Sequence, residues 1–261
     1  MKIHFLGTCA GTEPMPGRHH TAFIIETADT FYQFDAGESC AYTAYATMKL
    51  DLLKLRAMFF THPHIDHYGG LPHLLYTVAK LCVVRKCDPY FDPINVFISD
   101  KSVWDAAYKL GVYDGKTVFG ENVHYKVNGC SDGVVYSDEN IVVEALHNRH
   151  LGVPEDGSWK SYSYRVTCEG KTVILSGDIK GIDDIDPFLS GGCDALLVET
   201  GHHHPADIAA TLKERAYSIG HLYYVHSGRR ILNEYEESFR AISGIWKDGF
   251  TIAEDATTVV L

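Results

Sequence analysis

Sheets covered by helices, an α/β architecture, are what this chain predicts, and three observations carry the prediction. Short apolar runs of strand length recur from end to end, amphipathic helical segments are mixed among them, and 46% of the 261 residues are hydrophobic, ample for a sizeable core. No Pro/Gly/Ser-rich linker, low-complexity tract or internal repeat interrupts the pattern, so residues 1–261 are expected to form one domain.

The elements follow from hydrophobic period and strand-end residues. Strands are expected at residues 2–7, 21–27 and 30–35, then a helix over 39–53 and a strand over 57–61. Helices over 70–81 and 100–110 come next. The second half continues with strands at 140–146, 161–168, 171–176, 194–199 and 221–225, helices at 205–218 and 230–243, and terminal strands at 249–253 and 257–261.

The chemistry concentrates directly after the run Ala57 to Phe60, in Thr61-His62-Pro63-His64-Ile65-Asp66-His67. Three imidazoles and a carboxylate within six residues are costly to crowd together unless a cation offsets their desolvation and repulsion. Imidazole with carboxylate suits zinc, manganese or iron. Two ions need more donors than one loop can offer, and donors do stand at other strand ends: Asp35 after Phe34, His147 and His150 after Leu146, Asp178 after Gly177, and His226 after Val225. Singly each is an ordinary strand-end polar residue; together, in this order, they point to a two-metal site.

This His-x-His-x-Asp-His loop, followed by a His, an Asp and a His, resembles the metallo-β-lactamase superfamily of binuclear hydrolases over nearly the whole chain. The resemblance implies a four-layer αββα sandwich, two sheets face to face with helices outside and the metals at one edge. It also implies that His62, His64 and His150 hold one metal, that Asp66, His67 and His226 hold the other, and that Asp178 bridges them. Asp35 would support the loop by hydrogen bonding. His147 stands three residues before His150 and is the competing ligand; His150 is preferred because the family's ligand sits in the loop past the strand.

A metal-bound water becomes a nucleophile near neutral pH, so a hydroxide held between two ions, oriented by Asp66, makes hydrolysis the natural reaction. Glu199-Thr200-Gly201-His202-His203-His204 lies between a strand and a helix and resembles the Glu and His elements of the ribonuclease Z and phosphodiesterase branch, where this His assists phosphodiester cleavage. A carboxylate-paired His would be a general acid, and both His202 and His203 are candidates beside Glu199 and Asp66. Gly7-Thr8 and Arg18-His19-His20 resemble early loops of that branch and could place a cation or imidazole near substrate or form a solvated turn. Arg229 could contact a phosphate oxygen or be a plain surface residue.

The formal net charge of -11 opposes general binding of a polyanion, and no Gly/Pro/Arg-rich projecting arm of the kind that grips transfer RNA is visible. The expected substrate is therefore a small phosphodiester or cyclic phosphate, with nucleic acid an unexpected partner. A lactone or thioester hydrolase on the same centre is the alternative, and a non-catalytic metal-binding scaffold the alternative of another class. No window approaches the roughly 20 apolar residues of a membrane span, no signal peptide opens the chain, and seven cysteines suggest reduced thiols in a cytoplasm. A homodimer is compatible with the sequence, since an interface could lie on any helix.

Overall fold

The structure, a computed structural model, describes residues 1–261. It opens with a meander of β1 (Lys2–Gly7), β2 (Ala22–Thr27) and β3 (Thr30–Phe34). Ala28 and Asp29 between the last two take φ of 46° and 61°, consecutive left-handed residues that suit a tight hairpin turn. Residues 39–53, expected as one helix, are instead a short α1 (Cys40–Tyr42), a π turn over Thr43–Thr47 and a 3-10 turn over Leu52–Lys54. Lys49, at φ 60°, stops the helical run, and Asp51 caps the 3-10 turn by accepting from Leu53 N at 3.2 Å.

Strand β4 (Leu55–Phe59) leads through the histidine loop into α2 (Ile65–Tyr68) and α3 (Leu71–Arg85), whose Pro72 lies in the first turn, where its missing N–H costs nothing. Then come β5 (Ile94–Phe97), α4 (Lys101–Lys109), a small hairpin of β6 (Val112–Tyr113) and β7 (Lys116–Thr117), β8 (Tyr125–Asn128) and β9 (Gly133–Ser137). These five strands were not expected. They are short, and all but β5 are partly exposed, so they carry little apolar pattern.

The second half runs β10 (Ile141–His147), β11 (Tyr162–Cys168), β12 (Lys171–Leu175), α5 (Asp186–Leu189), β13 (Cys193–Thr200), α6 (Pro205–Glu214), β14 (Ile219–Ser227), α7 (Arg229–Asn233), α8 (Tyr235–Ile245), β15 (Phe250–Ile252) and β16 (Thr257–Val260). The single helix expected over 230–243 is split at Glu234, whose φ of -131° and ψ of 46° are not helical.

The strands form two seven-stranded sheets, ordered β16-β1-β2-β3-β4-β5-β8 and β15-β14-β13-β12-β11-β10-β9. Alternate residues of one strand face opposite layers. Phe23 and Ile25 of β2 join Phe34, Phe59, Tyr164, Leu197 and Val225 in the core between the sheets, while Ile24 packs with Met58 and with Leu74, Leu75 and Val78 of α3. On the far side Ile174, Leu196 and Leu222 meet Ile208 and Leu212 of α6 and Ile242 of α8. The result is the four-layer αββα sandwich. Strands β3 and β4 are parallel, and so are β12, β13 and β14, while β10 and β12 both run antiparallel to β11. The segments that follow β10, β12, β13 and β14 therefore emerge together, and the segments after β3 and β4 face them. No helix is long and apolar enough to cross a membrane.

Candidate active site

Asp35 sits just past β3, buried and at φ 53°, a costly left-handed conformation for a residue other than glycine. Its carboxylate accepts from Thr61 N at 2.8 Å, from Thr61 Oγ1 at 3.0 Å and from His67 Nδ1 at 2.8 Å. The last bond fixes the His67 tautomer and turns Nε2 towards Asp178 Oδ1, 3.3 Å away. The loop closes tightly on Gly37 and Gly70: a Cβ on Gly70 would fall 2.1 Å from Gly37 O, and one on Gly37 would fall 2.7 Å from Asp66 O.

The structure brings the sequence-predicted donors into one cluster. His62, His64, His150 and Asp178 have donor atoms within 4.8 Å of one another, as do Asp66, His67 and His226, and Asp178, Glu199, His202 and His226. Asp178 faces both sides: Oδ1 is 3.3 Å from His67 Nε2 and 3.4 Å from His226 Nε2, Oδ2 3.6 Å from His62 Nε2 and 3.7 Å from His150 Nε2. His226, like Asp35, holds a left-handed φ, 48°, and its Nε2 lies 3.2 Å from Asp66 Oδ2. His147 is elsewhere, donating from Nδ1 to Asp132 at 2.6 Å and stacking on Trp159 with ring centroids 4.0 Å apart.

The electrostatics fit a cation. His62 Nε2, His67 Nε2, Asp178 Oδ1 and His226 Nδ1 are buried without a hydrogen-bond partner, although buried polar atoms are nearly always paired. Burial, with His67 and His150 close by, holds His62 well below the usual histidine range, which leaves the neutral imidazole a metal ligand requires. For Asp66, burial pushes upward but His226 and His67 outweigh it, and the carboxyl is held well below its usual range. His226 shows the reciprocal effect: burial lowers it, yet Asp178, Asp66 and Glu199 carry it up to about 9. The carboxylates thus demand positive charge at this spot, and the nitrogen and oxygen donors suit zinc, manganese or iron.

Beside the cluster, Glu199 is fully buried at the end of β13. Its carboxylate accepts from Ile179 N at 2.9 Å, His202 N at 3.0 Å and His202 Nδ1 at 3.0 Å. The hydrogen bond to Glu199 raises the His202 imidazole above its ordinary value and leaves Nε2 as its free nitrogen. His203 is engaged differently, donating from Nε2 to Ile179 O at 2.9 Å, and His204 caps α6 by accepting from Ala206 N at 3.2 Å. His202 and His203 line a cavity of about 450 Å³ with Thr12, Asp66, Asp178 and Arg229, and only one of its lining residues is hydrophobic.

Arg229, which lines this cavity, is exposed and pairs with Glu13 at 2.5 Å. Arg18 serves neither role expected of it, because it is largely buried and donates to Thr8 Oγ1 at 2.8 Å and Ala253 O at 2.7 Å. Asn148, not singled out in the sequence, is buried, and its Oδ1 accepts from His150 N at 3.1 Å. Its place between two histidines at a strand end was the available signal.

A family model described as "Anti-Pycsar protein Apyc1" matches residues 1–216. Ribonuclease Z of Picrophilus torridus is 23% identical over 260 residues, covering 84% of this chain and 78% of that protein. Ribonuclease Z of Shouchella clausii is 25% identical over 304 residues, covering 93% and 92%. The crystal structure of the metallo-beta-lactamase fold protein YhfI from Bacillus subtilis superposes with a TM-score of 0.76 at 16% identity, covering 99% of this chain and 98% of that one.

Proposed function

The chain belongs to the Anti-Pycsar protein Apyc1 family, within the ribonuclease Z and phosphodiesterase-like branch of the metallo-β-lactamase superfamily, and from that premise we propose a binuclear phosphodiesterase acting on a small phosphodiester or cyclic phosphate. A cyclic nucleotide and a cyclic sugar phosphate are both of this class. The observation that carries the reading is the Glu199–His202 pair beside the donor cluster. Lactone or thioester opening leaves that pair without a clear use.

His62, His64 and His150 would hold one divalent ion and Asp66, His67 and His226 the other, with Asp178 between them, and zinc, manganese and iron all suit these donors. Bound there, the ions would lower the pKa of a coordinated water to about 7 and offset charge on the phosphoryl oxygens. The protein supplies orientation and a proton. Asp66, kept ionised, accepts a hydrogen bond from the attacking water and fixes its direction. Glu199 holds the His202 imidazolium through Nδ1, and Nε2 delivers the proton to the departing oxygen as the P–O bond breaks, a contribution of about 10²–10⁴-fold for general acids.

A cavity of about 450 Å³ with polar walls suits a small anionic substrate, and Arg229 at its rim could leave Glu13 for a phosphate oxygen. The net charge of -11 favours a small substrate over a polyanion. The names of the ribonuclease Z relatives favour the second reading, a nucleic-acid phosphodiester.

One experiment separates the readings. Protein stripped by chelation and resupplied with zinc or manganese is assayed on bis-p-nitrophenyl phosphate, a cyclic mononucleotide and a transfer RNA, with Asp178→Ala as control. Metal-dependent turnover of the small esters, lost in the variant, is expected. RNA as the preferred substrate would select the second reading. No turnover with two ions bound points to a lactone or thioester, and no bound ion to a scaffold.

A further inference from the structure

Strands β10 and β12 are separated by β11, which places their axes about 10 Å apart at normal strand spacing. The side chains carried by the segments leaving their ends nevertheless meet, with His150 Nε2 3.7 Å from Asp178 Oδ2. No ladder hydrogen bond can enforce that approach, because the two strands do not pair. Asp184, in the 3-10 turn Ile182–Ile185, reaches both segments: Oδ1 accepts from Arg149 Nε at 2.5 Å and Oδ2 from Lys180 N at 2.7 Å. Its two oxygens therefore hold the residue before His150 and the residue two after Asp178.

The burial is unequal. The Asp184 side chain is 2% exposed, whereas that of Arg149 is 45% exposed. A carboxylate so deep is costly unless hydrogen-bonded on both oxygens, and a half-exposed guanidinium would otherwise swing into water. The pairing thus draws the 148–150 segment inwards over β11. Asn148 ties the same segment to β11, with Nδ2 donating to Ser163 Oγ at 3.1 Å while Oδ1 accepts from His150 N.

We propose that Asp184 is a positioning residue that, through Arg149 and the Lys180 backbone, sets the separation of His150 from Asp178 and hence the cation affinity of the His62, His64, His150 and Asp178 group. The inference rests on the metal reading above. Removing the Asp184 charge frees Arg149, the 148–150 segment relaxes outwards, and His150 leaves the distance at which it can share an ion with Asp178. A carboxylate that merely braced its own turn would affect folding and leave ion affinity alone.

The test measures zinc and manganese binding to chelator-stripped protein by calorimetry against a competing chelator, for wild type, Asp184→Asn, Arg149→Ala and the double variant, with melting of each metal-free protein alongside. Affinity for one ion is expected to fall about 10–100-fold in each single variant, the usual range for a lost outer partner, with the other ion held within about threefold. The double variant should bind no more weakly than Asp184→Asn, because both changes break one contact. Single variants that bind both ions within about twofold of wild type would overturn the proposal. Should Asp184→Asn not fold, Arg149→Ala, altered at a half-exposed side chain, decides alone. A wild type that binds no ion removes the metal reading itself, an outcome distinct from variants that match a metal-binding wild type.

Discussion

Gly201→Ala adds one methyl group to the wall of the active site, and its consequence can be worked from the geometry. The new Cβ would fall 2.5 Å from His226 Nδ1, 2.6 Å from His226 Cε1 and 3.0 Å from Ala10 Cβ. Carbon normally rests about 3.5 Å or more from such atoms, so roughly 1 Å must be found. Ala10 cannot supply it, because its N–H donates to Ser227 O at 3.1 Å and Ser227 N–H donates to Thr8 O at 2.6 Å, tying the two segments together. The imidazole has to move, and its Nε2 leaves its present 3.2 Å from Asp66 and 3.4 Å from Asp178.

A misplacement of about 1 Å costs on the order of 10²-fold in rate, about 2.7 kcal/mol of barrier, and overpacking costs about 1–3 kcal/mol of stability. Gly201 does not hold a left-handed φ, so the effect is contact and not backbone strain. The assay is kcat/KM on bis-p-nitrophenyl phosphate at saturating zinc, with Gly129→Ala as control because a Cβ there meets nothing within 4 Å. A folded, metal-loaded Gly201→Ala enzyme within threefold of wild type would refute the idea that His226 must stand where the structure places it.

Four further outcomes are expected. His202→Ala should slow cleavage of an alkyl phosphodiester by about 10²–10⁴-fold but hydrolysis of a p-nitrophenyl ester much less, since that leaving group needs no proton; equal losses on both would remove the general-acid role. His203→Ala, whose ring donates to the Ile179 carbonyl, should cost less than His202→Ala on the alkyl ester. Asp35→Asn should weaken zinc binding about 10–100-fold while turnover at saturating zinc recovers in part, and unchanged affinity would show that the His67 hydrogen bond is dispensable. At the surface, Lys160 and Ser102 hold Asp100 down at about 2. Because that acid is lowered on folding, its contribution is complete above the unfolded value near 4 and disappears as pH falls towards about 2. The stability gap between wild type and Asp100→Asn in urea should therefore shrink between pH 5 and pH 3, and a constant gap would deny the linkage.

What the sequence made legible was the part governed by local pattern. β1, β2, β3 and β10 to β14 were placed within about two residues of their expected ends, because buried strands flanked by polar turns carry a strong period. The helix expected over 39–53 failed because Lys49 turns left-handed, a choice made by tertiary packing and unmarked by any glycine or proline. His150 could be preferred over His147 only by resemblance; what separates them is the side chain of Asp132, which draws His147 away, and the buried amide of Asn148, which turns the next residues inward. Arg18 illustrates the limit most clearly. A cation in an early loop gave no hint that it would be consumed by Thr8 and the carbonyl of Ala253, more than two hundred residues away.

The donors are divided between the two sheets: His62, His64, Asp66 and His67 follow β4 of the first, while His150, Asp178 and His226 follow or end strands of the second. Elsewhere the halves meet across apolar packing and at polar ties away from this rim, among them Arg56 with Glu139 and Tyr32 with Asp138 near the starts of β4 and β10. Ions held by both sides would rivet that rim, and at a free concentration a thousand times Kd a single one adds about 4 kcal/mol to the stability of the folded chain. Metal supply would then govern how long the protein survives as well as how fast it works. A starved molecule would open first along this seam, where a protease or a deuterium label could enter.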